Sequence, residues 1–162
     1  MGDEMVNSRE NADFQPDVVV LYCQHCLAQN SEAKKKLDSG SRFKPRLLMM
    51  PCSSKVEVSH VLKILSEGAD AVQVVGCKTD NCRFLVGSLM AEKRIEHTRR
   101  LLDESLMGAD RLGMKRGENL TFDELISFAE ERAKAVKALG PNPMKRLVKN
   151  DYCGMETHSG NL

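Results

Sequence analysis

Apolar residues in this chain fall in short unbroken runs that alternate with amphipathic stretches. Val18 to Cys23 (VVVLYC), opened by Asp17 after Pro16, is a β-branched run suited to a strand buried on both faces. Arg46 to Cys52 (RLLMMPC) predicts a second strand, and Ala71 to Cys77 (AVQVVGC) a third. A polar helical stretch from Ser31 to Asp38 lies between the first two and is broken by SGSRFKP. Ser54 and Glu57 have the spacing of a capping box. Val58, Val61, Leu62 and Leu65 then form an apolar stripe, which Gly68 ends. A long helix is predicted from about Arg83 to Met107, with Leu85, Leu89, Ile95, Leu102 and Leu106 turned inward and Gly108 as its stop. Asp110 to Lys115 reads as a short fourth strand. Thr121 and Glu124 form a second capping box, opening a helix from Phe122 to Leu139 that Gly140-Pro141 closes.

Strands alternating with helices predict an α/β fold: a small, open, mainly parallel sheet flanked by helices, flavodoxin-like or Rossmann-like. No G-x-G-x-x-G follows the first strand, which argues against a bound dinucleotide. The expected organisation is a flexible arm over 1–16, a folded domain over 17–141, and an extended tail over 142–162.

Composition narrows the possible partners. A formal net charge of +1 over 162 residues gives no electrostatic case for nucleic acid or an anionic membrane, and with two Tyr and no Trp a base-stacking surface is not expected. No apolar run approaches the roughly 20 residues that span a bilayer. The acidic, polar start is not a secretory signal, so the expected compartment is the cytoplasm. In an intracellular chain with a proper core, six cysteines point to metal or redox chemistry rather than disulfides.

Cys23, Cys52 and Cys77 end the three predicted strands, and in a parallel sheet those ends share one edge, where α/β proteins build their sites. Cys26 and Cys82 fall in the loops that follow. A single buried cysteine is often just a small hydrophobe, but five at strand ends or the next turn are hard to explain that way. The set C-x2-C … C … C-x4-C supplies enough thiolates for an iron–sulfur cluster or for zinc, with one cysteine to spare. Two close pairs, Cys23/Cys26 and Cys77/Cys82, suit structural zinc and leave Cys52 unused. CQHC alone is also compatible with a dithiol oxidoreductase. Spacing leaves these three open.

The ordered pieces VVVLYCQHC, MMPCSSKVE, EGADAVQVVGCKTDNC, the helix containing EKR, and KALGP carry a resemblance. From about Asp17 to Pro141 the chain resembles the delta subunit family of methyl-viologen-reducing hydrogenases, the iron–sulfur partner of heterodisulfide reductase. The resemblance implies a 2Fe-2S cluster held by four of Cys23, Cys26, Cys52, Cys77 and Cys82, with one of Cys23 and Cys26 the first to doubt as a ligand. It implies a subunit that relays electrons from a hydrogenase, a formate dehydrogenase or another donor module to a heterodisulfide-reductase-like flavin and iron–sulfur subunit in anaerobic metabolism. The chain departs from the family pattern at Gln24-His25, where an aromatic residue is typical, at Ser54, where glycine is common, and at Asp80-Asn81-Cys82-Arg83 in place of G-D-C-H. These changes surround the cysteines without removing any.

Other residues read more plainly. His25 is expected near the cysteines rather than as a ligand, and His60 and His97 on helix surfaces. Cys153 and His158 fall in the tail. Lys93, Arg94, Arg99 and Arg100 are expected to pair along their helix with Glu92, Glu96, Asp103 and Glu104. Lys78, Asp80 and Arg83 are candidates for tuning or docking. No nucleophile elbow or phosphate loop is present, so an electron carrier is expected rather than an enzyme acting on a substrate of its own.

Overall fold

Four strands pair in the order β2-β1-β3-β4, all parallel. They are β1 (Val18–Cys23), β2 (Arg46–Met50), β3 (Ala71–Cys77) and β4 (Leu112–Gly117). Three helices pack on them: α1 (Val58–Ser66), α2 (Gly87–Glu104) and α3 (Phe122–Lys137). The computed structural model describes residues 14–28 and 45–145, so the helix expected over 31–38 and the residues Cys153 and His158 lie outside the described residues. The open parallel α/β sheet is the one that the alternation predicts.

β1 and β3 are buried along their whole length, as unbroken apolar runs in the centre of a parallel sheet require. On one face Val18, Val20, Tyr22 and Val75 pack against Leu125, Ala129 and Val136 of α3. On the other, Val19, Leu21, Val72 and Val74 meet Val61 and Leu65 of α1 and Ile95 and Leu102 of α2.

Element boundaries differ from expectation in three places. Helix α1 starts at Val58, and its capping box is Glu57 with His60 rather than Ser54 with Glu57. Ser54 instead belongs to a single tight turn, Ser53–Lys55, that carries the chain away from β2. The long helix spans only 87–104, because Leu85 (φ +55°) and Leu106 (φ +60°) sit in the left-handed region, where a right-handed helix cannot continue. Both leucines point to solvent (78% and 93% exposed), and the buried face of α2 is built from Gly87, Ser88, Ala91, Ile95, Thr98 and Leu102. Small residues there allow α2 to lie close on the sheet, a pattern that leucine spacing does not reveal. β4 begins two residues later than expected, because Ala109–Arg111 forms a turn.

The amino-terminal edge of the sheet carries a buried polar clasp. The Asp70 carboxylate accepts from the backbone N–H of Asp17 (2.7 Å) and of Asn142 (2.8 Å), and from Lys145. The Arg111 guanidinium, 2% exposed, donates to the carbonyls of Met107, Asp70, Gly140 and Pro141. Asn142 donates to the carbonyls of Leu65 and Ala69. The chain therefore stays docked through Asn142, the residue at which the sequence predicts the start of an extended tail. With that edge closed, the loops of the opposite edge are the ones left to form a site.

Candidate metal centre

The strand ends deliver cysteines to the carboxyl edge as the parallel arrangement demands. Cys23 closes β1 opposite Met50, two residues before Cys52, and Cys77 closes β3 opposite Gly117 of β4. Short turns return Cys26 (in Gln24–Cys26) and Cys82 (after Thr79–Asn81) to the same edge. All five cysteines are buried, none more than 7% exposed, and all five are free thiols.

Four of the sulfurs gather at two places. Cys77 Sγ lies 3.6 Å from Cys23 Sγ. Cys52 and Cys82 flank the first residue of α2: a β-carbon at Gly87 would stand 3.0 Å from Cys52 Sγ and 3.5 Å from Cys82 Sγ. A glycine is what lets the helix start lie this close to both sulfurs. The Cys26 thiol donates to the Cys23 carbonyl at 2.9 Å. Among the described residues, no three His, Cys, Asp or Glu side chains gather closely enough to hold one ion.

Burial, and then the neighbouring Cys23, push the Cys26 thiol up to about 12. The same two causes push the Cys77 thiol up to about 12, with smaller contributions from Cys26 and Cys82. Closely spaced, desolvated sulfurs resist losing protons one beside another. A countercharge that bound them would remove that resistance, which is the ordinary logic of thiolate sites for metal. These raised values and the deep burial of Cys23 and Cys26 are opposite to the exposed, acidified thiol of a dithiol oxidoreductase. Cys23 also has the Cys77 sulfur beside it, at 3.6 Å.

The sequence marks several of the surrounding residues only faintly. Ser54 donates to Cys52 Sγ twice, from its backbone N–H (3.4 Å) and from its hydroxyl (3.2 Å). Gly76, just before Cys77, leaves room for the hydroxyls of Ser53 and Ser88, which would stand 3.2 and 3.3 Å from a β-carbon there. Neither hydroxyl has a hydrogen-bond partner among the described residues. A glycine inside a predicted helix costs about 1 kcal/mol relative to alanine, and that is the one available signal for Gly87.

His25 is half-buried and meets the Phe84 ring edge-on, with centroids 6.1 Å apart. His60 and His97 are exposed, as expected. Lys78 pairs with Glu118 at 2.9 Å, and Asn81 also donates to Glu118, tying the loop after β3 to the end of β4. The basic segment of α2 does not pair along its own helix as expected. Arg94 reaches the carbonyls of Ser54 and Val56, Arg99 reaches Leu112 and Asp110, and Glu92 takes Arg116. Each of these contacts leads off the helix, so the charges fix α2 to the sheet and to the turn after β2.

The family model described as methyl-viologen-reducing hydrogenase, delta subunit, matches residues 18–140. The vhu iron-sulfur subunit of the F420-non-reducing hydrogenase of Methanocaldococcus jannaschii is 38% identical over 100 residues, 62% of this chain and 75% of that protein. The protein of the same name from Methanococcus voltae is 29% identical over 134 residues, 82% of this chain and 98% of the relative. A third relative is a component of the Ferredoxin/F(420)H(2)-dependent CoB-CoM heterodisulfide reductase of Methanosarcina acetivorans. It is 29% identical over 133 residues, which make up 78% of this chain but only 16% of that much longer protein. The described residues contain no helix long and apolar enough to cross a membrane. The first two relatives carry the name of an iron–sulfur subunit of a hydrogenase, and the third that of a heterodisulfide reductase component. The chain belongs to the methyl-viologen-reducing hydrogenase delta subunit family.

Proposed function

We propose that the pocket holds one 2Fe-2S cluster on Cys23, Cys77, Cys52 and Cys82, with Cys26 outside the ligand set. The observation that carries this is the gathering of four buried sulfurs at two places, Cys77 against Cys23 at 3.6 Å and Cys52 and Cys82 both against Gly87. A two-iron cluster takes four thiolates, two on each iron, whereas a lone zinc takes four about one point. The donors are soft, buried and free of disulfides, so they suit the group. When bound, such a cluster supplies one-electron exchange. The chain itself shields the sulfurs from water and sets their spacing. It also presents the Cys26 thiol to the Cys23 carbonyl, where it braces the turn.

We further propose that this protein works in the cytoplasm as a relay from a hydrogenase, formate dehydrogenase or similar donor. Its acceptor would be a heterodisulfide-reductase-like flavin and iron–sulfur protein. The Methanosarcina acetivorans relative supports this acceptor, because there a segment similar to this chain is part of a heterodisulfide reductase component's own sequence.

The experiment is an anaerobic pull-down of the tagged chain from its source, followed by stopped-flow reduction of the isolated complex. Co-isolation of a heterodisulfide-reductase-like flavoprotein, with flavin reduction that slows at least tenfold in Cys52→Ser, is the expected result. Flavin reduction at an unchanged rate in Cys52→Ser would rule the relay out.

A further inference from the structure

Granting the cluster proposed above, we propose that Ser54 raises its reduction potential by donating two hydrogen bonds to the Cys52 sulfur, and that Arg94 is the positioning residue that holds Ser54 there. Hydrogen bonds to cluster sulfurs are among the main determinants of iron–sulfur potentials, because they favour the more negative, reduced state. Of the five site cysteines, Cys52 is the one whose sulfur accepts from both a backbone N–H (3.4 Å) and a hydroxyl (3.2 Å). Both donors belong to the same residue, so their placement depends on how firmly the turn over 53–55 is held.

Four hydrogen bonds and a packing contact hold it. Lys55 N–H donates to the Cys52 carbonyl at 3.1 Å and Val56 N–H to the Ser53 carbonyl at 3.0 Å, closing the turn on itself. From α2, one Arg94 guanidinium nitrogen donates to the Ser54 carbonyl and, at 3.3 Å, to the Val56 carbonyl. The start of the same helix packs on the turn, since a β-carbon at Gly87 would lie 3.4 Å from Ser54 Cβ and 3.0 Å from Cys52 Sγ. One helix thus fixes the sulfur at its first turn and the donor residue two turns later. Arg94 serves its own helix with neither contact, which is why its bonds to the turn call for an explanation.

The proposal is tested with recombinant chain carrying its cluster, titrated anaerobically with dithionite as the one-electron donor and followed by electron paramagnetic resonance. Ser54→Ala keeps the backbone N–H and removes the hydroxyl, and Ser54→Gly does the same with a freer backbone. In both, the midpoint potential is expected to fall by about threefold to tenfold in the reduction equilibrium, roughly 30 to 60 mV at 59 mV per tenfold. Ser54→Thr, which retains the hydroxyl, should stay near the parent. Arg94→Gln and Arg94→Lys should both shift in the same direction as Ser54→Ala, by less. A shift in Arg94→Gln with none in Arg94→Lys would mean that charge alone acts, and would overturn the positioning role. Equal potentials in the parent, Ser54→Ala and Ser54→Gly, at equal iron content, would overturn the role of Ser54 and leave the cluster standing. If both variants lost their iron, Ser54 would be needed for retention, and tuning would be overturned. A parent protein without iron and labile sulfide would overturn the cluster and this proposal together.

Discussion

At the amino-terminal edge of the sheet, Asp70, Arg111 and Asn142 are buried, and each is hydrogen-bonded to several partners, some as far as 41 to 77 residues away along the chain. At the carboxyl edge five thiols are buried with few bonds, and the hydroxyls of Ser53 and Ser88 have no partner among the described residues. The first edge behaves as a fastening: its charges are desolvated, and its geometry closes on itself. The second keeps donor groups uncommitted, at about 1 to 3 kcal/mol for each unpartnered hydroxyl. Thiols make this tolerable, since a protonated cysteine buries much like a small hydrophobe. A preorganised pocket of this kind needs a rigid support, and the opposite edge supplies it.

Substitutions should separate the two edges, and the largest effect belongs to the fastening. Arg111→Met leaves four carbonyls without their donor and Asp70 without its buried neighbouring charge, so a loss of about 3 to 5 kcal/mol in urea unfolding is expected. Asn142→Ala removes donors to Leu65 and Ala69 and should cost about 1 to 3 kcal/mol by the same measurement. Neither should alter the number of titratable thiols in the folded protein.

The pocket should respond in the opposite sense. Gly87→Ala drives a methyl group to 3.0 Å from Cys52 Sγ, while alanine favours the helix by about 1 kcal/mol. Cluster-free stability should therefore change by less than about 1 kcal/mol, while iron content per chain falls by half or more. Cys26→Ser should have the smallest effect, keeping the iron and the resonance spectrum of the parent. Loss of the cluster in Cys26→Ser alone would move Cys26 into the ligand set and break the pairing of sulfurs.

Much of this is legible in the sequence, for a physical reason. β1 and β3 match the predicted runs residue for residue, because strands buried on both faces are written as continuous apolar runs with little else to compete. Once those ends are placed, parallel pairing alone brings Cys23 and Cys77 to one edge. The limits of α2 are not legible. The left-handed turns at Leu85 and Leu106 leave no mark in a leucine pattern, and a helix lying close on a sheet hides its buried face among Gly, Ser, Ala and Thr. The clasp is hidden as well, since Asp70, Arg111 and Asn142 are distant in sequence and look like ordinary surface residues until the sheet unites them. For the same reason Ser54 reads as a helix cap. Its bond to Cys52 spans two residues, but the turn that makes it useful depends on Arg94, forty positions away.

Whether the carboxyl edge is an iron–sulfur site built on two pairs of sulfurs is decided by Mössbauer spectroscopy of the anaerobically purified chain grown on iron-57. Two irons per chain, each in a tetrahedral sulfur environment and accompanied by two labile sulfides, are expected. Zinc in place of iron, or iron without sulfide, would contradict it.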